Sequence, residues 1–303
     1  MTGQQSRFHL SYHTRLRLML LPYALGALSL VLVPALVSFG LAFFRYDGLR
    51  PPVWAGALNF TLAWTDGLFL LSVQNTLALI VLPVPLRVAG AFLLAHLLLR
   101  GGRFLPWLRA AIYVPTAVPV AAYALAWLWI FNPLYGPLAW LLRSLGLLSP
   151  GWFADPLWAR PAVAFISLWT LGEGFLVMLA ALHGIPPALE DAARVDGAGS
   201  WAFLRYVTLP LLAPVLLLLA LRDAILILQE SFTTVLLTTG GGPYYATYTL
   251  PLFVYEQAYD LLNFGVASAA LWFLYLLTGL IVIAVLLVAW QWRVGLDDEA
   301  LLL

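Results

Sequence analysis

Six long apolar runs, separated by short polar stretches, set the pattern of this chain. A helix needs about 20 mostly apolar residues to cross a bilayer core of ~30 Å. Residues 18–44 carry no charge and predict the first span. This run of 27 residues exceeds the roughly 7–15 of a signal-peptide core. It is therefore expected to stay in the mature protein, despite Arg15 and Arg17 just before it. Further spans are expected at 72–98 (interrupted by Pro83, Pro85 and Arg87), 110–131, 162–182, 211–228 and 264–290. The expected fold is all-α: a polytopic membrane bundle of six transmembrane helices over 18–292, between tails 1–17 and 293–303.

Six spans place both termini on one side, and arginines decide which. With the N-terminus inside, the inner segments hold nine: Arg7, Arg15, Arg17, Arg100, Arg103, Arg109, Arg194, Arg205 and Arg293. The outer ones hold four: Arg45, Arg50, Arg143 and Arg160. The excess predicts cytoplasmic termini. Trp127, Trp129, Trp290 and Trp292 suit an interfacial belt or simple packing. Three connections are long, at 45–71 and 132–160 outside and at 183–210 inside, and a further outer stretch covers 229–262.

Composition narrows the chemistry. Of 303 residues, 63% are hydrophobic and 10% charged, against about 25% charged in a soluble domain. A soluble enzyme, a disordered tail and a nucleic-acid binder are excluded. All 15 basic residues are arginine, so no lysine can grip a phosphate in a P-loop or form a Schiff base. Any nucleotide that drives this chain must be bound by a partner. With no cysteine, disulfides and thiolate metal sites are excluded too. His9 and His13 lie in a polar tail, and His96 and His183 stand singly, so neither a metal site nor a cofactor is expected.

Charged and amide side chains inside the apolar runs ask for partners. Arg87, Glu173, Arg222, Asp223, Gln229 and Glu230 fall within or near hydrophobic depth. A bare Arg or Asp there costs roughly 2.5–3.5 kcal/mol on insertion scales, so each should face the bundle interior. Arg87 and Glu173 lie at similar depth and are expected to pair or to line one cavity. Arg222 shares a helix face with Gln229, and Asp223 with Glu230. This polar sector either lines a path for a hydroxyl-rich solute or forms a structural salt-bridge network. Trp169, Phe232 and Trp272 could stack on sugar rings, or simply pack.

The inner segment 185–210 has the most specific pattern. Pro186 and Pro187 suit a helix start, Glu190 can pair with Arg194 at i+4, and Gly197 suits a left-handed helix stop. Ser200 is placed to cap a second short helix through Tyr206, and Leu209-Pro210 leads into the fifth span. From the residues alone this is either a solvated elbow beneath the membrane or, given Ala192, Ala193 and Ala198, a helix that docks in a partner's groove.

The run Asp191-Ala-Ala-Arg-Val-Asp-Gly-Ala198 followed by Val207-Thr-Leu-Pro210 resembles the "EAA" loop of binding-protein-dependent ABC import permeases. Asp191 stands where glutamate is usual, with Glu190 one residue earlier. Asn59-Phe60, Asn75-Thr-Leu, Asn132-Pro-Leu-Tyr-Gly136 and Leu237-Thr-Thr-Gly-Gly-Gly-Pro243 are similar to the carbohydrate branch, specifically its maltose-type first permease. The resemblance implies a type I importer permease, with no active site of its own, in the inner membrane of a bacterium or archaeon. It implies three partners: a second permease, a cytoplasmic ATPase dimer and an extracytoplasmic solute-binding protein. Glu190, Asp191, Ala192, Ala193, Asp196, Gly197, Ala198, Leu209 and Pro210 would couple to the ATPase. Asn132, Gly136, Gly241, Gly242 and Pro243 would meet the binding protein. Such a path would carry a sugar, oligosaccharide or glycerol-phosphate compound. The rivals are an ion-gradient carrier working through Glu173 or Asp223, and an importer permease for a solute such as a polyamine.

Overall fold

A computed structural model describes residues 11–99 and 102–300. Arg7, His9 and Arg100 lie outside the described residues. The chain is a helical bundle with one small hairpin. α1 (Tyr12–Ala27), capped by Ser11, continues through a π-helical turn (Leu28–Leu32) into α2 (Val33–Leu41). The first span thus begins before residue 18 and ends before Phe44, which opens β1 (Phe44–Arg45). β1 pairs antiparallel with β2 (Val53–Trp54), and α3 (Leu58–Thr65) follows. The long outer connection therefore orders itself.

Asp66 caps α4 (Gly67–Val81) by accepting from the Leu68 N–H at 2.8 Å. α5 (Pro83–Leu97) prolongs it, so Pro83 and Pro85 begin a new helix segment within one apolar stretch, Gly67–Leu97. Proline is tolerated there because the first N–H groups of a helix are unpaired anyway.

The third and fourth spans depart from the straight helices expected. α6 (Leu105–Tyr113), a 3₁₀ turn (Val114–Ala117) and α7 (Val120–Ile130) bend by 104°. Pro119 drives Val118 to an extended conformation (φ −81°, ψ 128°), the usual constraint on a residue before proline. α8 (Pro137–Ser144) lies in the outer connection. α9 (Pro156–Leu168) and α10 (Gly172–His183) bend by 50°. Gly172 allows the two breaks to nest: a Cβ there would come within 2.5 Å of the Ile112 carbonyl and 2.8 Å of Tyr113 Cα.

α11 (Pro187–Val195) is the helix of the segment expected on the inner side. α12 (Ser200–Phe203) was expected as a separate short helix. It runs instead through a π-helical turn (Leu204–Thr208) into α13 (Leu209–Thr238), giving 39 continuous helical residues. Ser200 is the first helical residue and makes no side-chain cap; Gly199 holds the cap position. Residues 229–238, expected outside the fifth span, also belong to α13. α14 (Leu250–Tyr255) and a π-helical turn (Glu256–Asp260) precede α15 (Phe264–Ala300).

Among the described residues, then, four stretches are long and apolar enough to cross a membrane unbroken, and two bent pairs bring the count to six. Burial concentrates in three places. An outer cluster joins Phe69, Leu79, Ile227, Val235, Leu250 and Phe253. An inner one joins Ala91, Ala95, Phe175, Met178, Leu212 and Leu219, and a third surrounds Phe131 and Ile166. The first span lies outside all of them, with no buried residue in its apolar window.

Candidate functional site

At the break in the fourth span a helix must leave carbonyls without intrahelical donors. In lipid an unsatisfied group of this kind costs several kcal/mol. Arg87, on α5, meets this need. Its guanidinium donates to the carbonyls of Ser167 and Thr170 and to Thr170 Oγ1 (3.0 Å). Both carbonyls lie at the α9–α10 bend. On its other side, Nη2 donates to Asp223 Oδ1 at 3.4 Å, and Nε lies 3.1 Å from Asp223 Oδ2 as an ion-pair contact. Both side chains are nearly sealed, at 3% and 4% exposed. The burial is sustainable because the charges are paired and the remaining donors are used.

The network continues outward. Asp223 Oδ1 accepts from Arg222 at 3.0 Å, and Arg222 forms an ion pair with Glu173. Glu173 is half exposed. Arg87 and Glu173, expected to pair or share a cavity, are therefore the two ends of a chain of four charges running Arg87–Asp223–Arg222–Glu173. Glu230, two turns further along the same face of α13, accepts instead from Tyr123 Oη on α7 at 3.1 Å. Ser167, Ser231 and Thr234 join them around a small cavity of about 20 Å³, enough for one water. Gln229 is exposed and outside this cluster. The sequence reading overlooked Tyr123, although a tyrosine in a helix otherwise rich in Ala, Leu and Trp is a signal that its hydroxyl has a partner.

The inner elbow is built as its residues dictate. Pro187 opens α11, Glu190 pairs with Arg194 at 2.6 Å, and Gly197 sits at φ +77°. The Ala198 N–H reaches the Ala193 carbonyl at 2.8 Å and Gly197 N–H reaches Arg194 at 3.1 Å, the paired bonds of a left-handed helix stop. None of the α11 residues is buried. Between α11 and the bundle lies a cleft of about 500 Å³ lined by His96, Pro187, Glu190, Ala193, Trp201 and Leu204. Glu190 through Ala198 thus project together, whereas Leu209 packs against the second core cluster and Pro210 lies in the first turn of α13.

On the opposite end, α13 stops where Gly240 (φ +57°) sends its N–H to the Val235 carbonyl at 2.8 Å. Gly241 (φ +88°) passes so close to Tyr248 and Leu252 that a Cβ would strike both. The Gly242–Pro243 peptide is cis. Asn75 holds the loop from below, donating to the carbonyls of Tyr245 and Tyr248 at 2.8 and 2.9 Å, while Arg160 donates to Ala246 at 2.6 Å. Tyr248 donates to Glu256; its burial, then this bond, raises its pKa above the ordinary tyrosine range. The result is a fixed outer loop that presents Tyr244, 89% exposed, at its tip.

Asn132 and Gly136 serve a different turn. Asn132 Oδ1 accepts from Leu134 and Tyr135 N–H at 2.9 and 3.2 Å. Gly136 is buried, with the Asn132, Ile130 and Trp129 carbonyls 2.5–2.7 Å from where a Cβ would stand. Of the aromatics considered for sugar stacking, Trp169 packs edge-on to Trp127, Phe232 tilts against Tyr255, and Trp272 sits between Phe39 and Tyr275.

A helical bundle with two broken spans, a chain of four charges between its helices and a projecting elbow is built like a membrane transport component. The family defined as "binding-protein-dependent transport system inner membrane component" matches residues 87–293, and the chain belongs to it. Its work is done with a solute-binding protein and a separate ATPase; it is a transport subunit, not an enzyme. The chain is 35% identical over 263 residues to the sn-glycerol-3-phosphate transport system permease protein UgpA of Brucella abortus, covering 82% of this chain and 88% of that one. It is 30% identical over 234 residues to the lactose transport system permease protein LacF of Rhizobium radiobacter, covering 76% and 78%. A bacterial alginate ABC transporter, solved with a periplasmic protein bound to an alginate pentasaccharide, has a chain of the same fold. The TM-score is 0.78 at 24% identity, covering 89% of this chain and 92% of that one. Membership of this family displaces the ion-gradient carrier.

Proposed function

We propose that this chain forms half of the translocation path of an ATP-driven importer for a carbohydrate or glycerol-phosphate compound, beside a second, different permease subunit. The carrying observation is its likeness to permeases named for glycerol 3-phosphate and lactose, together with an unburied inner helix held rigid at Gly197.

Residues 190–198 enter a cleft of the ATPase. Closure of the ATPase pushes α11, and because α12 is continuous with α13 the push acts on one long lever. Movement of α13 bears on the Arg87–Asp223 pair and on Tyr123–Glu230, which join it to α5 and α7. The path lies along this polar sector, with Glu230 and its cavity at the solute side and Arg87–Asp223 holding the helices. Gly241, Gly242, Pro243 and Tyr244 meet the binding protein. Both termini face the cytoplasm, on the elbow's side.

The test is to purify the complex from its native membrane, identify the copurifying binding protein and determine its ligand. A sugar, oligosaccharide or glycerol-phosphate ligand supports the assignment; a polyamine or amino-acid ligand overturns the substrate class.

A further inference from the structure

Beyond the turn at Asn132 and Gly136, the connection 132–158 carries an exposed apolar surface. It bares Leu134, Tyr135, Trp140 (71% exposed), Leu145, Leu148 (93% exposed) and Leu157. Leaving a large apolar side chain in water forgoes about 1.5–3 kcal/mol of burial, so a run of such residues marks a contact surface. Beside it lies a groove of about 640 Å³ lined by Trp127, Phe131, Leu138, Leu141, Trp152 and Phe165.

We propose that this segment lies in the boundary of the lipid leaflet on the side away from Gly197, with the acyl chain of a phospholipid seated in the groove. Three observations choose lipid over another occupant. The groove opens onto the exposed face of the bent spans: Phe165 lines it and is exposed, and Trp127 on its wall packs edge-on against both Phe165 and the exposed Trp169. The segment 132–158 contains only two charged residues, Arg143 and Asp155, both already bonded to backbone groups of the segment, so little charge opposes its entry into the lipid boundary. The indole N–H of Trp152 is buried with no acceptor among the described residues, although buried donors are nearly always paired. A lipid ester carbonyl at the groove's mouth supplies that acceptor. α8 is the anchor: Trp140 and Leu141 face lipid, Ala139 is buried toward the bundle, and Arg143 closes its last turn onto the Ala139 and Leu134 carbonyls.

The absence of native cysteine makes the test direct. Single variants Trp140→Cys, Leu141→Cys and Leu148→Cys, with Tyr244→Cys as the aqueous reference, are spin-labelled in the membrane complex of permeases and ATPases, with no binding protein added, in nanodiscs of phosphatidylethanolamine and phosphatidylglycerol. Dissolved oxygen should reach the three labels several-fold more readily than a water-soluble nickel chelate, with the reverse at 244. In the same discs, phospholipids brominated on the acyl chain should quench a fluorophore at 141 and leave one at 244 bright. Nickel accessibility at 140 and 148 equal to that at 244 would place the segment in water. Immobile labels shielded from both reagents would place it against a partner protein. Either result overturns the proposal.

Discussion

Asp223 and Arg87 show how little freedom a charge has at membrane depth. Removing one member of a buried pair costs about 3–5 kcal/mol, because the other is left uncompensated. Asp223→Asn is therefore expected to cut the amount of folded protein in the membrane sharply and to lower its thermal stability in detergent. Replacing Arg87 and Asp223 together by Met should recover only part of this, because the Ser167 and Thr170 carbonyls still lose their donor. Glu173→Gln changes a half-exposed end of the chain and should leave abundance near normal. If abundance fell equally in all three, the pair would not be the anchor assigned here. Gly197 poses the opposite case: open space surrounds it and only its φ of +77° is restrictive. A side chain there costs roughly 1–2 kcal/mol of local strain, too little to unfold the bundle. Gly197→Trp should insert normally yet lose binding-protein-stimulated ATP hydrolysis, and normal transport by that variant would refute the docking of this elbow.

Among the elements, a side-chain amide braces both the loop at 240–248 and the first hairpin. Asn75 supplies both donors that fasten the Tyr245 and Tyr248 carbonyls. Leaving a buried acceptor unpaired costs about 1–3 kcal/mol. Asn75→Leu should insert but loosen 240–248, seen as faster hydrogen exchange confined to that loop. Asn59 does the same for the Ala42 and Phe44 carbonyls, and Gly265 gives it room: a Cβ there would collide with the Phe44 carbonyl and the Asn59 amide. Gly265→Ala should therefore lower the thermal stability of the purified complex, whereas Gly279→Ala, with nothing near its Cβ position, should be neutral or slightly stabilising. The motifs at Asn59 and Asn75 were visible in the sequence as likenesses to a family. Their work as braces became visible only with their partners, which for Asn75 lie 170 and 173 residues away.

For the whole molecule the sidedness prediction is the simplest to check. In right-side-out membrane vesicles, a membrane-impermeant thiol reagent should label Tyr244→Cys and spare Ala192→Cys until the vesicles are opened. The reverse pattern would invert the topology and remove the elbow from any cytoplasmic motor. The long apolar runs, the lack of lysine, the elbow ending at Gly197 and the presence of interior charges were all legible along the chain. Each depends on local composition or on neighbours within a turn or two, which residue order specifies. The bend of the third span was legible in principle, since Pro119 constrains Val118, but its 104° and its nesting against Gly172 were not. Nor could the order of residues reveal that Asp223 and not Glu173 would be the counter-ion of Arg87, that Tyr123 would serve Glu230, or that α12 would fuse with α13. Several carboxylates lay at compatible depth on different helices. Only the rotation and crossing of those helices, set by packing across the bundle, decided which charges came within reach.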